Sequence, residues 1–190
     1  MKSIDEILSL ANCFEKTAST QYAYHIRSDD FRGKTIYPLA ELEEAYPKIY
    51  KTEIKKYRGR ESHPNIKVSL LDARWADCVC LSTLDPRKIF QLEDLLGIDN
   101  QPAKIFRFKI SDLKDFDMCI FNDDDKLSPR KDEAYDKITA KSYKETKLIP
   151  PETVKYFVRC KKKGEQPLLF SYIPHLMIKG SIPINLADIV

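Results

Sequence analysis

The sequence predicts an α+β fold: a single domain over residues 1–190 in which a mixed, largely antiparallel sheet carries helices on one side or at one end. Three observations predict this class. Helical periodicity is concentrated in the first half, short alternating segments are more frequent in the second half, and no linker, repeat or low-complexity tract interrupts the 190 residues. A chain of this length and composition is typical of one globular domain with its own core.

Helix starts are marked by caps and prolines. Ser3 followed by Glu6 matches the capping box, and apolar residues at helical spacing extend a first helix over residues 3–16. Three later starts have a proline in the first helical turn, with Asp85 as an additional cap before the last of them: Pro38, Pro47 and Pro86. Gly97 is a typical stop for the last of these helices.

Strands are predicted where polar and apolar residues alternate or where short apolar runs lie between turn residues. In residues 22–27 the alternation places His25 on the face opposite Tyr24. Further strands are predicted over 68–71, 78–82, 104–110, 118–121 and 175–178 and, as a hairpin, over 156–160 with 168–172. The polar stretch 122–136 is predicted to be a mobile loop, and a polar helix is predicted over 133–144.

Net charge, hydropathy and cysteine content restrict the functional classes with which the sequence is compatible. The 32 Lys and Arg residues against 29 Asp and Glu give a net charge of +3, which is too mild to indicate a nucleic-acid partner by itself. No apolar run approaches the roughly 20 residues that a membrane helix needs, and the acidic, amphipathic start is unlike a signal peptide. Five cysteines without a CxxC pair favour reduced thiols in a cytosol, a prediction compatible with delivery into another cell's cytosol.

Two short segments, 55–60 and 159–163, are rich in lysine and arginine. Each has acidic residues nearby, so a solvated face is the simpler interpretation of both. The alternative is a contact surface for a protein or a nucleic acid.

Several well-known sites are excluded or disfavoured by their motifs. The chain has no GxGxxG, no GxxxxGK[ST] and no GxSxG sequence, and its three histidines do not have the spacing of metal ligands. Cys78 and Cys80 project to one face of a predicted strand, and either thiol paired with His25 or His175 would form a nucleophile. Small buried residues of a central strand are the favoured interpretation of both cysteines.

Three segments, in order along the chain, carry a family resemblance. The first is the aromatic-histidine pair Tyr24-His25, the second is the strand and Ser/Pro-containing turn 81–86, and the third is the late segment 175–183. Over residues 20–188 the chain resembles the DNA-targeting bacterial ADP-ribosyltransferase toxins and their relatives in the NAD-dependent ADP-ribosyltransferase superfamily. The resemblance implies the sheet sandwich of that family, with NAD as cofactor and a macromolecular acceptor, protein or nucleic acid, as partner.

The resemblance also implies roles for five side chains. His25 is expected to be the main contact to the dinucleotide, with Arg27 and Ser82 as secondary contacts on the same wall and Tyr37 as a stacking residue. His175 is expected to face the reacting sugar, so that His25 and His175 are the catalytic candidates and line one pocket. Cleavage of the nicotinamide–ribose bond develops positive charge on the sugar, and the family meets this charge with a glutamate.

The sequence departs from the family at that glutamate. His175 occupies its position and neither neighbour is acidic, and an imidazole cannot replace a carboxylate that faces a developing cation. Three alternatives remain: the alignment is shifted, Glu152 or Glu165 reaches the site, or the chain no longer transfers ADP-ribose and serves as a binding module. On simpler grounds His25 is a core or edge histidine and Trp75 a core anchor rather than a stacking surface.

Overall fold

The computed structural model describes residues 2–12, 20–29, 31–100, 103–123 and 132–190. In these ranges the chain forms five α-helices and eleven strands. Their order is α1 (Ile4–Ala11), β1 (Tyr22–Ile26), β2 (Thr35–Ile36), α2 (Leu39–Ala45), α3 (Pro47–Glu53), β3 (Lys67–Val68), β4 (Ala73–Arg74), β5 (Cys78–Ser82), α4 (Pro86–Leu96), β6 (Ile105–Lys109), β7 (Met118–Phe121), β8 (Tyr135–Lys137), α5 (Pro151–Lys163), β9 (His175–Lys179), β10 (Ile182–Pro183) and β11 (Ala187–Ile189). None of the described helices is both long enough and apolar enough to span a bilayer.

Seven strands form one sheet in the order β11-β6-β1-β5-β9-β7-β8. Each neighbouring pair in this sheet is antiparallel. Two small sheets, β2 with β10 and β3 with β4, flank it. The predicted α+β class with a largely antiparallel sheet is therefore confirmed.

Apolar side chains form three clusters, one on each face of the large sheet and one among the helices. Phe106, Phe108 and Leu176 belong to the first face, whereas Trp75 and Met177 belong to the second. The third cluster joins α1, α4 and α5 to each other through their buried stripes. We call these three helices the helical layer; α4 begins directly after the turn that ends β5.

The capping signals in the sequence predict α1 and α4 correctly. The Ser3 hydroxyl accepts the Glu6 N–H at 3.1 Å, and the Glu6 carboxylate accepts the Ser3 N–H at 2.8 Å. The Asp85 carboxylate accepts the Arg87 N–H at 3.0 Å where α4 begins, and Gly97 ends that helix with a positive φ of 61°. The predicted first helix continues to residue 16, but residues 13–16 lie outside the described residues.

Three predicted elements in the second half of the chain are wrong. The hairpin strand predicted over 168–172 is one of them, since the chain forms turns there. Residues 156–160, predicted as one strand of a hairpin, lie inside α5, because buried side chains recur there at helical spacing. In place of the predicted polar helix over 133–144 the chain forms a short 3₁₀ helix (Asp132–Ala134), β8 and a turn over 139–143. After this turn the Tyr143 hydroxyl donates to the Tyr22 carbonyl at 2.8 Å. Of the predicted loop 122–136, residues 124–131 lie outside the described residues.

A buried carboxyl group lies in the helical layer. Glu93, on α4, is 1 % exposed, and neither carboxylate oxygen has a hydrogen-bond partner among the described residues. Burial, and to a lesser degree the charge of Asp94, raises the pKa of Glu93 to about 7. The protonated form is therefore favoured in the folded chain.

Glu93→Gln is expected to increase the free energy of unfolding by about 1–3 kcal/mol at pH 8. Because the folded pKa lies above the unfolded value, the native state loses stability as pH rises from about 4.5 through 7, and the glutamine removes that loss. Urea unfolding at pH 5 and pH 8 should show the variant's advantage shrink at the lower pH. Glu43→Gln, at an exposed position of α2, is the control and should show no advantage at either pH.

Candidate functional site

A single cross-strand row of side chains crosses the large sheet. The register pairs Arg107 with Asp188 and Tyr24, Ser82 with Tyr24 and His175, and Phe121 with His175 and Tyr135. Directly paired residues of antiparallel strands project to the same face of a sheet. We call these seven residues the central row: Asp188, Arg107, Tyr24, Ser82, His175, Phe121 and Tyr135.

One end of the central row is charged. The Arg107 guanidinium donates to Asp188 at 2.9 Å and lies over the ring of Tyr22, 4.7 Å from its centroid. The Arg107 Nε is buried and has no hydrogen-bond partner among the described residues. This end therefore holds a cation fixed by its neighbours, with one buried N–H group that has no described partner.

A buried carboxylate anchors Tyr24. The Tyr24 hydroxyl donates to one oxygen of Glu145 at 2.8 Å, and the Tyr22 N–H donates to the other at 3.0 Å. The Lys147 ammonium lies 2.9 Å from the same carboxylate, whose side chain is 6 % exposed. Burial, followed by the hydrogen bond and the charge of Glu145, raises the pKa of the Tyr24 phenol. Tyr24 is thus a protonated donor held in one position.

The hydroxyl of Ser82, at the centre of the row, is already hydrogen-bonded within a local turn. Its hydroxyl donates to the Leu84 carbonyl at 2.7 Å and accepts the Leu84 N–H at 3.1 Å. Next to it, the Thr83 hydroxyl donates to the Pro174 carbonyl at 2.8 Å and so ties the end of β5 to the start of β9. Ser82 therefore shapes the wall between Tyr24 and His175.

His175 lies among aromatic rings. Its ring centroid is 6.0 Å from that of Phe121 and 6.4 Å from that of Phe170. Its Nδ1 is buried without a hydrogen-bond partner among the described residues, although the ring also has a hydrogen-bonding interaction with the Ile173 backbone. Burial lowers the pKa of His175, and the charge of Asp123 opposes this effect. The imidazole is therefore neutral near pH 7.

His25 projects away from the central row. It is paired with Phe106, in the apolar cluster of the other face. Its Nδ1 lies 3.3 Å from the Cys80 carbonyl, to which it donates, and burial lowers its pKa. The expectation that His25 and His175 line one pocket is wrong, because strand alternation and register place them on opposite faces. The chemical roles of the two histidines stay predictions.

The sheet has a narrow junction beside His25. β1 pairs with β5 only at Tyr24 and Ser82, whereas β1 pairs with β6, and β5 with β9, over five residues each. Beyond this pairing the His25 Nδ1 meets the carbonyl of Cys80. We call this part of the junction, where β1 and β5 are no longer paired, the β1–β5 gap.

The two other residues of the expected wall lie apart from the central row. The Arg27 N–H donates to the Lys104 carbonyl at 2.8 Å, and its guanidinium is 5.7 Å from the ring centroid of Phe31. Tyr37 follows β2 and lies 5.9 Å from the ring of Tyr46. No described contact joins either Arg27 or Tyr37 to the row.

The two glutamates considered as replacements are at the ends of α5. Glu152 is 3.7 Å from the Lys155 ammonium and Glu165 is 4.0 Å from that of Lys163, and all four side chains are exposed. Neither glutamate has a described contact with the central row. The carboxylates that do lie beside the row are Glu145 and Asp123, which sequence reasoning missed because neither is part of a local motif.

Of the sheet cysteines, Cys78 and Cys119 are buried and Cys80 is partly buried. Burial raises the pKa of Cys78 and of Cys119 to about 12, and it also raises that of Cys80, whose sulfur lies 3.3 Å from the Met177 sulfur. His25 meets the carbonyl of Cys80 rather than its thiol. A reactive cysteine needs a lowered pKa, so the raised pKa values argue against a thiol nucleophile here.

Among the described residues, no three His, Cys, Asp or Glu side chains gather as metal ligands.

Trp75 is a core anchor. It is 8 % exposed, its Nε1 donates to the Tyr57 hydroxyl at 3.1 Å, and its ring meets Phe121 edge to face at 5.2 Å. His63 closes the other side at 4.5 Å. The indole covers the Phe121 end of the central row and is not available for stacking a ligand.

Two surface hollows lie away from the central row. One of about 630 Å³ is lined by residues that include Asn65, Lys67 and Asp132. Another of about 650 Å³ is lined by residues that include Gln21 and Lys141. Neither is lined by a histidine or by a member of the row.

Comparison of the chain with protein-family models, with curated proteins and with solved structures finds no match in any of the three.

Proposed function

We propose that this chain is a divergent ADP-ribosyltransferase-like protein that binds NAD along the central row and transfers ADP-ribose to a macromolecule. One observation carries the proposal. The three segments of the family resemblance, distant in sequence, form the adjacent strands β1, β5 and β9. Tyr24, Ser82 and His175, one from each segment, are directly paired across these strands.

The chemistry of the row supports this proposal. Arg107, whose side chain is 29 % exposed, offers its guanidinium to the phosphates of a dinucleotide, and arginine suits phosphate oxygens. The Tyr24 hydroxyl, whose proton goes to Glu145, offers its oxygen as an acceptor for a ribose hydroxyl, and the imidazole of His175 offers an aromatic ring for nicotinamide. His25 lies on the opposite face and meets the Cys80 carbonyl at the β1–β5 gap, so in this scheme it positions the strand that carries Ser82 rather than contacting the dinucleotide.

The proposal is tested with the three histidines of the chain. Titration of NAD into the pure protein should release heat in a calorimeter, and labelled NAD should yield free nicotinamide in the presence of candidate protein or DNA acceptors. His175→Gln and His25→Gln are expected to lower nicotinamide release at least about tenfold, whereas His63→Gln, beside Trp75, should retain it. No heat and no nicotinamide from a folded wild-type protein would overturn the proposal.

A second candidate function is a binding module without catalysis. The observation that favours it is the exposed cationic segment from Lys48 to Arg60, in which all six lysine and arginine side chains are exposed. Reversing the charge of Lys55 and Arg58 should then release a captured acceptor while leaving NAD binding intact. An acceptor that stays bound to the charge-reversed protein would argue against this function.

A further inference from the structure

A carboxylate lies next to the position where the family's glutamate is replaced. β7 is paired with β9 so that Phe121 faces His175. Asp123 lies two residues after Phe121, just beyond the end of β7, where its charge acts on the His175 ring. The Asp123 carboxylate accepts the Tyr172 N–H at 2.8 Å. This bond joins the exit of β7 to the segment that leads into β9.

The backbone holds this arrangement in place. Tyr172 has a positive φ of 66°, which is unusual for a residue with a large side chain and needs support from its surroundings. The hydrogen bond from its N–H to Asp123 supplies such support. The turn before Pro174 is thereby fixed, and with it the position of His175 relative to the carboxylate.

We propose that Asp123 is the carboxylate that stabilises the cationic sugar, in place of the acid that position 175 lacks. This inference rests on the proposed function. His175 is the neutral partner: its buried Nδ1 has no hydrogen-bond partner among the described residues, and Asp123 is the charged group that acts on its ring. A neutral imidazole adds no repulsion against a cation.

Glu145 is less suited to this role. Its carboxylate accepts the Tyr24 hydroxyl and the Tyr22 N–H and is paired with Lys147. These donors use its lone pairs and offset its charge. Asp123 has one described hydrogen bond, to one oxygen, so its second oxygen is available to a ligand.

The transfer of ADP-ribose needs no reactant besides NAD and the acceptor. The bond between the nicotinamide nitrogen and ribose C1′ breaks, and its electron pair leaves with the nicotinamide, which departs as a neutral molecule. The positive charge develops on the sugar beside the Asp123 carboxylate. The acceptor's oxygen or nitrogen forms the new bond to C1′, and its proton passes to Asp123 and then to water.

The test replaces Asp123 with asparagine in the full chain. Asparagine keeps an oxygen that accepts the Tyr172 N–H, so the turn is preserved while the charge is removed. We expect the maximal rate of nicotinamide release to fall about 100-fold or more, with the dissociation constant for NAD changed less than about threefold. Asp123→Glu should restore part of the rate.

The control is Asp117→Asn, at the exposed residue immediately before β7. It removes the same charge from the other end of the same strand and should leave the rate unchanged. If Asp123→Asn retains the wild-type rate, or if Asp117→Asn loses as much, the role of Asp123 is overturned while the proposed function stands. If the wild-type protein neither binds NAD nor releases nicotinamide, the proposed function itself fails.

Discussion

Glu145→Leu is expected to lower the free energy of unfolding by about 2–5 kcal/mol. The carboxylate accepts the Tyr24 hydroxyl and the Tyr22 N–H, and leucine leaves both donors unpaired in a site that water reaches poorly. Lys147, with its side chain 34 % exposed, regains water and contributes little to the loss. Urea unfolding followed by far-ultraviolet circular dichroism measures the difference.

A double-mutant cycle isolates the contact itself. Tyr24→Phe removes the donor, and Glu145→Leu removes the acceptor. If the hydrogen bond matters as described, the effects of the two variants are not additive, with a coupling energy of about 0.5–3 kcal/mol. Strict additivity would show that the bond between Tyr24 and Glu145 contributes nothing to stability.

Phe157→Ala is expected to lower the free energy of unfolding by about 3–5 kcal/mol. Phe157 lies on α5 with no exposed surface and packs in the cluster that joins this helix to α1 and α4. Removing the ring leaves a cavity that three packed helices cannot close fully. Chemical denaturation compares the variant with Lys162→Ala, a change at an exposed position of the same helix that should alter stability little.

Phe157→Ala also tests whether the helical layer contributes to NAD binding. The cluster around Phe157 shares no residue with the central row. NAD binding by the folded fraction should therefore be unchanged at a temperature where the variant remains folded. A loss of binding in step with the loss of stability would mean that the helical layer shapes the site.

Local signals in the sequence predicted local structure well. The capping box at Ser3 and the Asp85-Pro86 start of α4 each involve residues only a few positions apart, so the chain carries the whole signal. The strand at Tyr22–Ile26 was recognised from alternation alone. In these elements the tertiary structure agrees with the local preference.

The error at α5 has a physical reason. Tyr156, Phe157 and Val158 are residue types enriched in strands, and this preference outweighed the helical spacing of the buried side chains in the prediction. Packing against α1 and α4 decides the matter in the folded chain, because burial of the stripe is worth more than intrinsic propensity. Pro151 at the start and Gly164 at the end were the available helix signals.

The central row could not be predicted from the sequence, for a different reason. The sequence predicted that His25 and Tyr24 face opposite ways, but which of them faces His175 depends on the register of β1, β5 and β9. Register is a long-range property, and a shift of one residue turns every side chain to the other face. Glu145 and Asp123 likewise reach the row through contacts that no local motif announces.

The single pairing between β1 and β5 has a mechanical consequence. Each half of the sheet is held by its own continuous ladder, while the two halves share one bridge at Tyr24 and Ser82. A planar ligand inserted between β1 and β5 would separate the two halves of the sheet without breaking the strand pairing within either half. Amide exchange should therefore be faster at this junction than in the paired ladders on either side of it.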